Sequence, residues 1–201
     1  MVGAWKINVS ANMPEKVATA VSKLTEEMLG TEYMPICYLG SQIANGINHA
    51  VLAEQTVVTG KDTDNIVLLV FNEKPDDIVA SLVAIERIVL GGTGMGGVKV
   101  DIEYPKMFDA NTKGIWDEAL AELVGANIKP IALVATQMVN GADYVFAAAI
   151  CTIESDQAYD VAIVTINNRT KTAHIIGILD SRFENSLSYA FTWLTRSPKA
   201  E

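Results

Sequence analysis

The side chains of this sequence with reactive chemistry are few. Cys37 and Cys151 are its only thiols. Two cysteines are too few for a disulfide framework, and their separation does not match a metal site. Neither has a base beside it in a strand layout, so buried strand thiols are expected rather than a nucleophile. His49 and His174 are the only histidines, and both read as strand residues with solvent or hydrogen-bond partners. Glu26 and Glu27 fall late in a helix, and Asp76 and Asp77 adjoin a turn, where carboxylates are ordinarily solvated. The stretch GGTGMGG at 91–97 places Gly92, Gly94 and Gly97 in a GxGxxG pattern. A phosphate-binding version needs a helix directly after it, whose N-terminal amides meet the pyrophosphate. VKVDIEY follows instead and alternates like a strand, so the glycines read as a joint. These residues make no catalytic constellation. The chain is expected to be a non-enzyme with no cofactor and no metal.

A different kind of chemistry, apolar contact, is suggested by a repeated stretch. SQIANGINHA occupies 41–50 and TQMVNGADYV occupies 136–145. Gln42 and Gln137 set an offset of 95, which holds without a gap well beyond the echo. It aligns Glu27 with Glu122, Gly30 with Gly125, Pro35-Ile36 with Pro130-Ile131, and Asn72 with Asn167. A tandem duplication follows. Asn45-Gly46 and Asn140-Gly141 are strong hairpin signals, and a type I′ turn is expected at each. That leaves Ile43 and Ala44, with Met138 and Val139, as apolar side chains on hairpin tips, a candidate contact surface.

The elements that must hold these tips recur in both copies. A short strand opens each, AWKINV and then VKVDIEY. A helix follows, with Asn12 as cap, Pro14 in the first turn, and Val17, Val21, Leu24 and Met28 on one face. In the second copy Asn111 lies near the cap, and Trp116, Ala119, Leu120 and Leu123 form the face. Gly30 and Gly125 supply left-handed stops. Strands are then expected over 36–44, 47–58 and 65–72, with a last one within 78–89. The second copy has them over 131–139, 142–153 and 159–167, closing with HIIGIL. Strand, helix and four strands argue for an α+β fold, an antiparallel sheet with one helix on one face of each unit. NIVLLVFN and VFAAAICTI are apolar at successive positions, so both sheet faces look buried. The outer faces then pack on each other or are covered by a partner chain, as in a homodimer.

The domains expected are 1–91, a glycine-rich linker at 92–97, a second unit at 98–180, and a tail at 181–201. The tail can form a short helix with Phe183, Leu187, Ala190, Phe191 and Leu194 on one face. Half of the 201 residues are apolar, enough for one large core or two small ones, and too many for disorder. The net charge of -9 opposes phosphate backbones and anionic membrane surfaces, so nucleic acid is not an expected partner. No apolar run approaches the roughly 20 residues of a membrane-spanning helix, and MVGAWKINVS lacks the layout of a signal peptide. The chain reads as soluble, with its compartment open.

With Gln-x-apolar-x-Gly at the first hairpin of each copy, the units resemble the cystatins, most closely the single-domain stefin type. The match runs through YMPICYLGSQIANGINHAVLAEQTVV and NIVLLVFNEKP in the first copy, and spans roughly 80 residues per copy. The family's loop reads Gln-x-Val-x-Gly; here it is Gln42-Ile43-Ala44-Asn45-Gly46 and Gln137-Met138-Val139-Asn140-Gly141. Its glycine-led N-terminal trunk is matched by Gly3, and in the second copy by Gly96 and Gly97. Its second hairpin loop falls at Lys74-Pro75 and near Asn168-Arg169-Thr170. The resemblance implies two cystatin-like units, each a curved antiparallel sheet packed on one helix. It implies reversible inhibition of papain-like cysteine proteases, with trunk and loops as an apolar wedge. Ile43, Ala44, Met138 and Val139 would make the buried contact, and Gln42 and Gln137 would fix the loop. The alternative is a non-inhibitory protein-binding or assembly module.

Overall fold

The computed structural model describes residues 3–10, 12–26, 28–58, 63–75, 80–92, 96–103, 108–154 and 157–179. The expected tail helix over 181–201 lies outside these residues, as do Glu27, Asp76, Asp77 and Gly94. The chain divides into two compact units, Met1–Val100 and Asp101–Glu201.

The first sheet is built from β1 (Trp5–Ser10), β2 (Thr31–Ala44), β3 (Gly46–Val57), β4 (Thr63–Glu73) and β5 (Ser81–Val89), with α1 (Glu15–Glu26) between β1 and β2. Its strands lie side by side in chain order, and each neighbouring pair is antiparallel. The second sheet contains β6 (Val98–Glu103), β7 (Asn127–Val139), β8 (Gly141–Cys151), β9 (Ala158–Asn167) and β10 (Ala173–Gly177), with α2 (Ala110–Leu120) after β6. Its order is again sequential. The strand at Val98–Glu103 puts no helix behind the glycine-rich stretch, so that GxGxxG lacks the helix N-terminus a pyrophosphate would need.

The α+β expectation, two cystatin-like units each with a curved sheet packed on one helix, is overturned. The described chain is mainly β: ten strands in two antiparallel sheets, with helices of only 12 and 11 residues. The physical reason is where the core comes from. Helix α1 buries only Val17, Val21 and Leu24, and α2 only Thr112, Ile115 and Trp116. Ile66–Phe71 of β4, by contrast, are fully buried at six successive positions, and Val145–Ala149 of β8 are buried at five. Both faces of these strands are therefore out of water. The ladders supply most of the apolar burial that stabilises each unit.

Duplication extends into the irregularities of the sheets. Strand β2 changes register at Pro35/Cys37 and at Tyr38/Gly40, and β7 does so at Pro130/Ala132 and Leu133/Ala135. These positions match at the same offset as the hairpin echo. A proline has no N–H for a ladder, and a bulge absorbs that loss. The strands consequently start at Thr31 and Asn127, upstream of the prolines, rather than at 36 and 131.

The helix faces follow the sequence pattern, but the caps do not. Val17, Val21 and Leu24 pack with Tyr38, Val51, Leu69 and Phe71, and Met28 adds a partly buried contact. In the second unit Ile115 and Trp116 pack with Phe146, Val164 and Ile166, and Ala119, Leu120 and Leu123 lie against them. Helix α1 begins at Glu15, its Ala18 N–H donating to the Pro14 carbonyl, and Asn12 instead pairs with Ser10. The cap of α2 is Asp109, not Asn111: its Oδ1 accepts from the Thr112 N–H at 2.6 Å. Gly30 and Gly125 do adopt positive φ, 81° and 96°.

Both cysteines are buried free thiols. Burial pushes the Cys37 thiol up to about 12, far from thiolate chemistry at neutral pH. No described helix is long and apolar enough to cross a membrane.

Candidate functional site

The β2–β3 hairpin closes with Ile43 opposite Ile47 and Ala44 opposite Gly46. Gly46 has φ 105°, and Gly141 at the β7–β8 tip has φ 102°. Lys171 is the one described non-glycine residue with positive φ, so Asn45 and Asn140 do not have it. The type I′ expectation is corrected. At each tip the positive φ falls on the glycine alone, directly after a one-residue bend.

Glycine is required at both tips for a second reason, close approach. A Cβ on Gly46 would lie 2.5 Å from the Glu73 carbonyl oxygen and 2.8 Å from Asn72 Oδ1. One on Gly141 would lie 2.9 Å from Arg169 Cβ and 2.9 Å from Asn168 Oδ1. Each first hairpin tip thus sits directly against the next connection of its own sheet.

In unit 1 the tip also meets the N-terminal residues. Gly3 N–H donates to the Ile43 carbonyl at 2.8 Å, and Trp5 pairs with Gln42. Ile43 is 73% exposed and Ala44 half-buried, while Asn45 is exposed. Pro75 is exposed next to Lys74, whose Cγ would be 2.9 Å from a Cβ on Gly46. Gly3, Ile43, Ala44, Asn45, Gly46 and Pro75 therefore share one rim. Gln42 does not. It is 3% exposed, and its role is internal.

Gln42 starts a polar row beneath the tip. Asn48 Nδ2 donates to Gln42 Oε1 at 3.0 Å, and Asn72 Nδ2 donates to Asn48 Oδ1 at 2.7 Å. Such side-chain amides fix register, because a one-residue slip would break every bond in the row. The second unit repeats one rung: Asn167 Nδ2 donates to Asp143 Oδ1 at 2.7 Å. Gln137, half-buried, stands where Gln42 does.

The unit 2 rim carries Met138, 71% exposed, Val139, 44% exposed, and exposed Asn140. The β9–β10 turn clamps it. Asn168 N–H donates to the Ala142 carbonyl at 2.9 Å, its Oδ1 accepts from Ala142 N–H at 2.8 Å, and Arg169 Nη1 donates to Asn140 Oδ1. The sequence gives Asn48 and Asn72 no role at the rim, whereas Asn168 and Arg169 fall on the second hairpin loop that the resemblance implies. The offset aligned Asn72 with Asn167, a signal that carried no role until the register placed them below the tips.

Behind the unit 1 rim lies a titratable cluster. His49 Nδ1 is 3.1 Å from Tyr38 Oη, its Nε2 is 3.4 Å from Glu73 Oε2, and Lys16 Nζ is 2.6 Å from Glu73 Oε1. Burial lowers the pKa of His49, while the charge and hydrogen bond of Glu73 pull it back and Lys16 lowers it further. The folded state therefore binds fewer protons than the unfolded chain just below the ordinary histidine range. The stability from neutral His49 is complete above about pH 6.5 and is lost as pH falls through the histidine range. Urea denaturation at pH 7.5 and pH 5.5 is expected to show a smaller pH loss in His49→Gln than in the parent protein. An equal loss in both would remove His49 from the account.

No protein-family model matches the chain, and neither a curated protein nor a solved structure matches it.

Proposed function

We propose that the protein is a reversible inhibitor of papain-like cysteine proteases, with a hairpin tip entering the protease cleft as an apolar wedge. The observation that carries the reading is the 2.8 Å bond from Gly3 N–H to the Ile43 carbonyl, which joins the N-terminal residues and the tip into one edge. Ile43 stands out from that edge, as Met138 does from the other tip. The protease class is what the resemblance of the two Gln-x-apolar-x-Gly loops to the cystatins implies.

Burying one such side chain contributes roughly 1.5–3 kcal/mol. The positive-φ glycine and the amide row hold the tip in shape before it binds, which reduces the ordering cost of association. A bent hairpin in the cleft also presents no extended peptide in position for attack.

A non-inhibitory protein-binding role is the second reading, favoured by polar Asn45 and Asn140 at the apex of each tip. Titration of papain with the purified protein separates the two. Reversible sub-micromolar inhibition is expected. Ile43→Asp and Met138→Asp, made singly, assign the active tip by a loss of about 2 kcal/mol, roughly thirtyfold in Kd. No inhibition at high micromolar protein would overturn the inhibitor reading and leave the binding role.

A further inference from the structure

We propose that the two Asn-Gly tips are sites of spontaneous covalent modification, losing the asparagine amide through a cyclic imide, and that Asn45 reacts ahead of Asn140. The step needs only water. A glycine main-chain nitrogen, after giving its proton to solvent base, attacks the asparagine Cγ. The Cγ–Nδ2 bond breaks, and ammonia departs with a proton to leave a five-membered imide. Water then opens the ring at either carbonyl, giving aspartate or its backbone-lengthened isomer.

Glycine favours the attack because no Cβ shields its nitrogen. Both tips meet that condition, and both asparagines are exposed to the water that completes the reaction. What separates them is the far side of each rim. Ring closure requires the asparagine amide to swing onto the glycine nitrogen. Asn140 is held back because its Oδ1 accepts from Arg169 Nη1. The turn bearing Arg169 is itself pinned: Lys171 Nζ donates to Glu118 Oε2 of α2 at 2.7 Å, and Asn168 bonds Ala142 in both directions. Asn45 has no side-chain hydrogen bond among the described residues.

The product changes the tip in two ways. A carboxylate replaces a neutral amide beside Ile43, and the isomer inserts an extra main-chain atom at a bend that pairs Ala44 with Gly46. A loss of partner binding on ageing would rest on the rim reading above; the modification itself does not.

The test is peptide mapping by mass spectrometry of the full chain, aged at mildly alkaline pH, folded and in strong denaturant. In denaturant the two Asn-Gly peptides should convert at similar rates. In the folded protein Asn45 should convert severalfold faster than Asn140, and faster than strand residue Asn8. Arg169→Ala should bring Asn140 toward the rate of Asn45. A folded-state ratio equal to that in denaturant, or an Asn45 no faster than Asn8, would overturn the proposal. Because the readout is mass, failure of the inhibitor reading leaves this result untouched.

Discussion

Replacing Gly46 with valine is expected to abolish binding at the unit 1 rim and to lower the unfolding free energy by roughly 3 kcal/mol. Two effects add. A β-branched residue at φ 105° is strained in itself, and its Cβ would enter the 2.5 Å gap to the Glu73 carbonyl oxygen. Gly30 separates them, because it has φ 81° and a Cβ there would meet nothing within 4 Å. Gly30→Ala should therefore cost only about 1 kcal/mol, the strain alone. Denaturant unfolding of both variants measures the difference. Equal losses would show that the contact with β4 is not what demands glycine at the tip. Gly141→Val should behave similarly in unit 2, where the crowding atoms are Arg169 Cβ and Asn168 Oδ1.

Phe146→Ala is expected to cost about 3–5 kcal/mol, the largest loss from a single side chain in unit 2. Phe146 is fully buried in β8. The Trp116 ring of α2 meets it edge-on at 5.0 Å and Phe108 does so at 5.7 Å. Truncation removes both aromatic contacts and leaves a cavity that the flanking ladders cannot close. Phe146→Leu, which keeps much of the volume, should lose markedly less. Thermal or urea unfolding checks the pair. If the two variants lose equally, shape at this position matters less than the aromatic contacts. If Phe146→Ala is nearly neutral, the cluster under α2 does not hold unit 2 together.

Much of the local structure was legible in the sequence for a physical reason. A hairpin bend, a helix stop and an apolar helix face are each written in a few neighbouring residues, so Asn45-Gly46, Gly30 and the Val17-Val21-Leu24 stripe could be read without knowing the fold. The duplication was legible because two copies under similar packing constraints keep the same irregularities, down to the bulges beside Pro35 and Pro130. Local readings failed where alternatives compete within one turn of chain. Asp109 displaced Asn111 as the cap of α2, since Oδ1 of Asp109 is the acceptor that meets the Thr112 N–H.

The class of fold was misjudged because the pattern of elements does not weigh them. One helix per copy was found where expected, but each buries three side chains while the strands run to 14 residues and bury both faces. The sequence by itself determined the repeat, the two tips and the residue types they display. Only the tertiary structure decided what each tip touches: Gly3 on Ile43, Asn48 and Asn72 beneath Gln42, and Arg169 on Asn140. Those partners lie up to 40 positions apart in the chain, from Gly3 to Ile43. Strand register brings them within bonding distance, and register is a property of the whole sheet, not of any window along it.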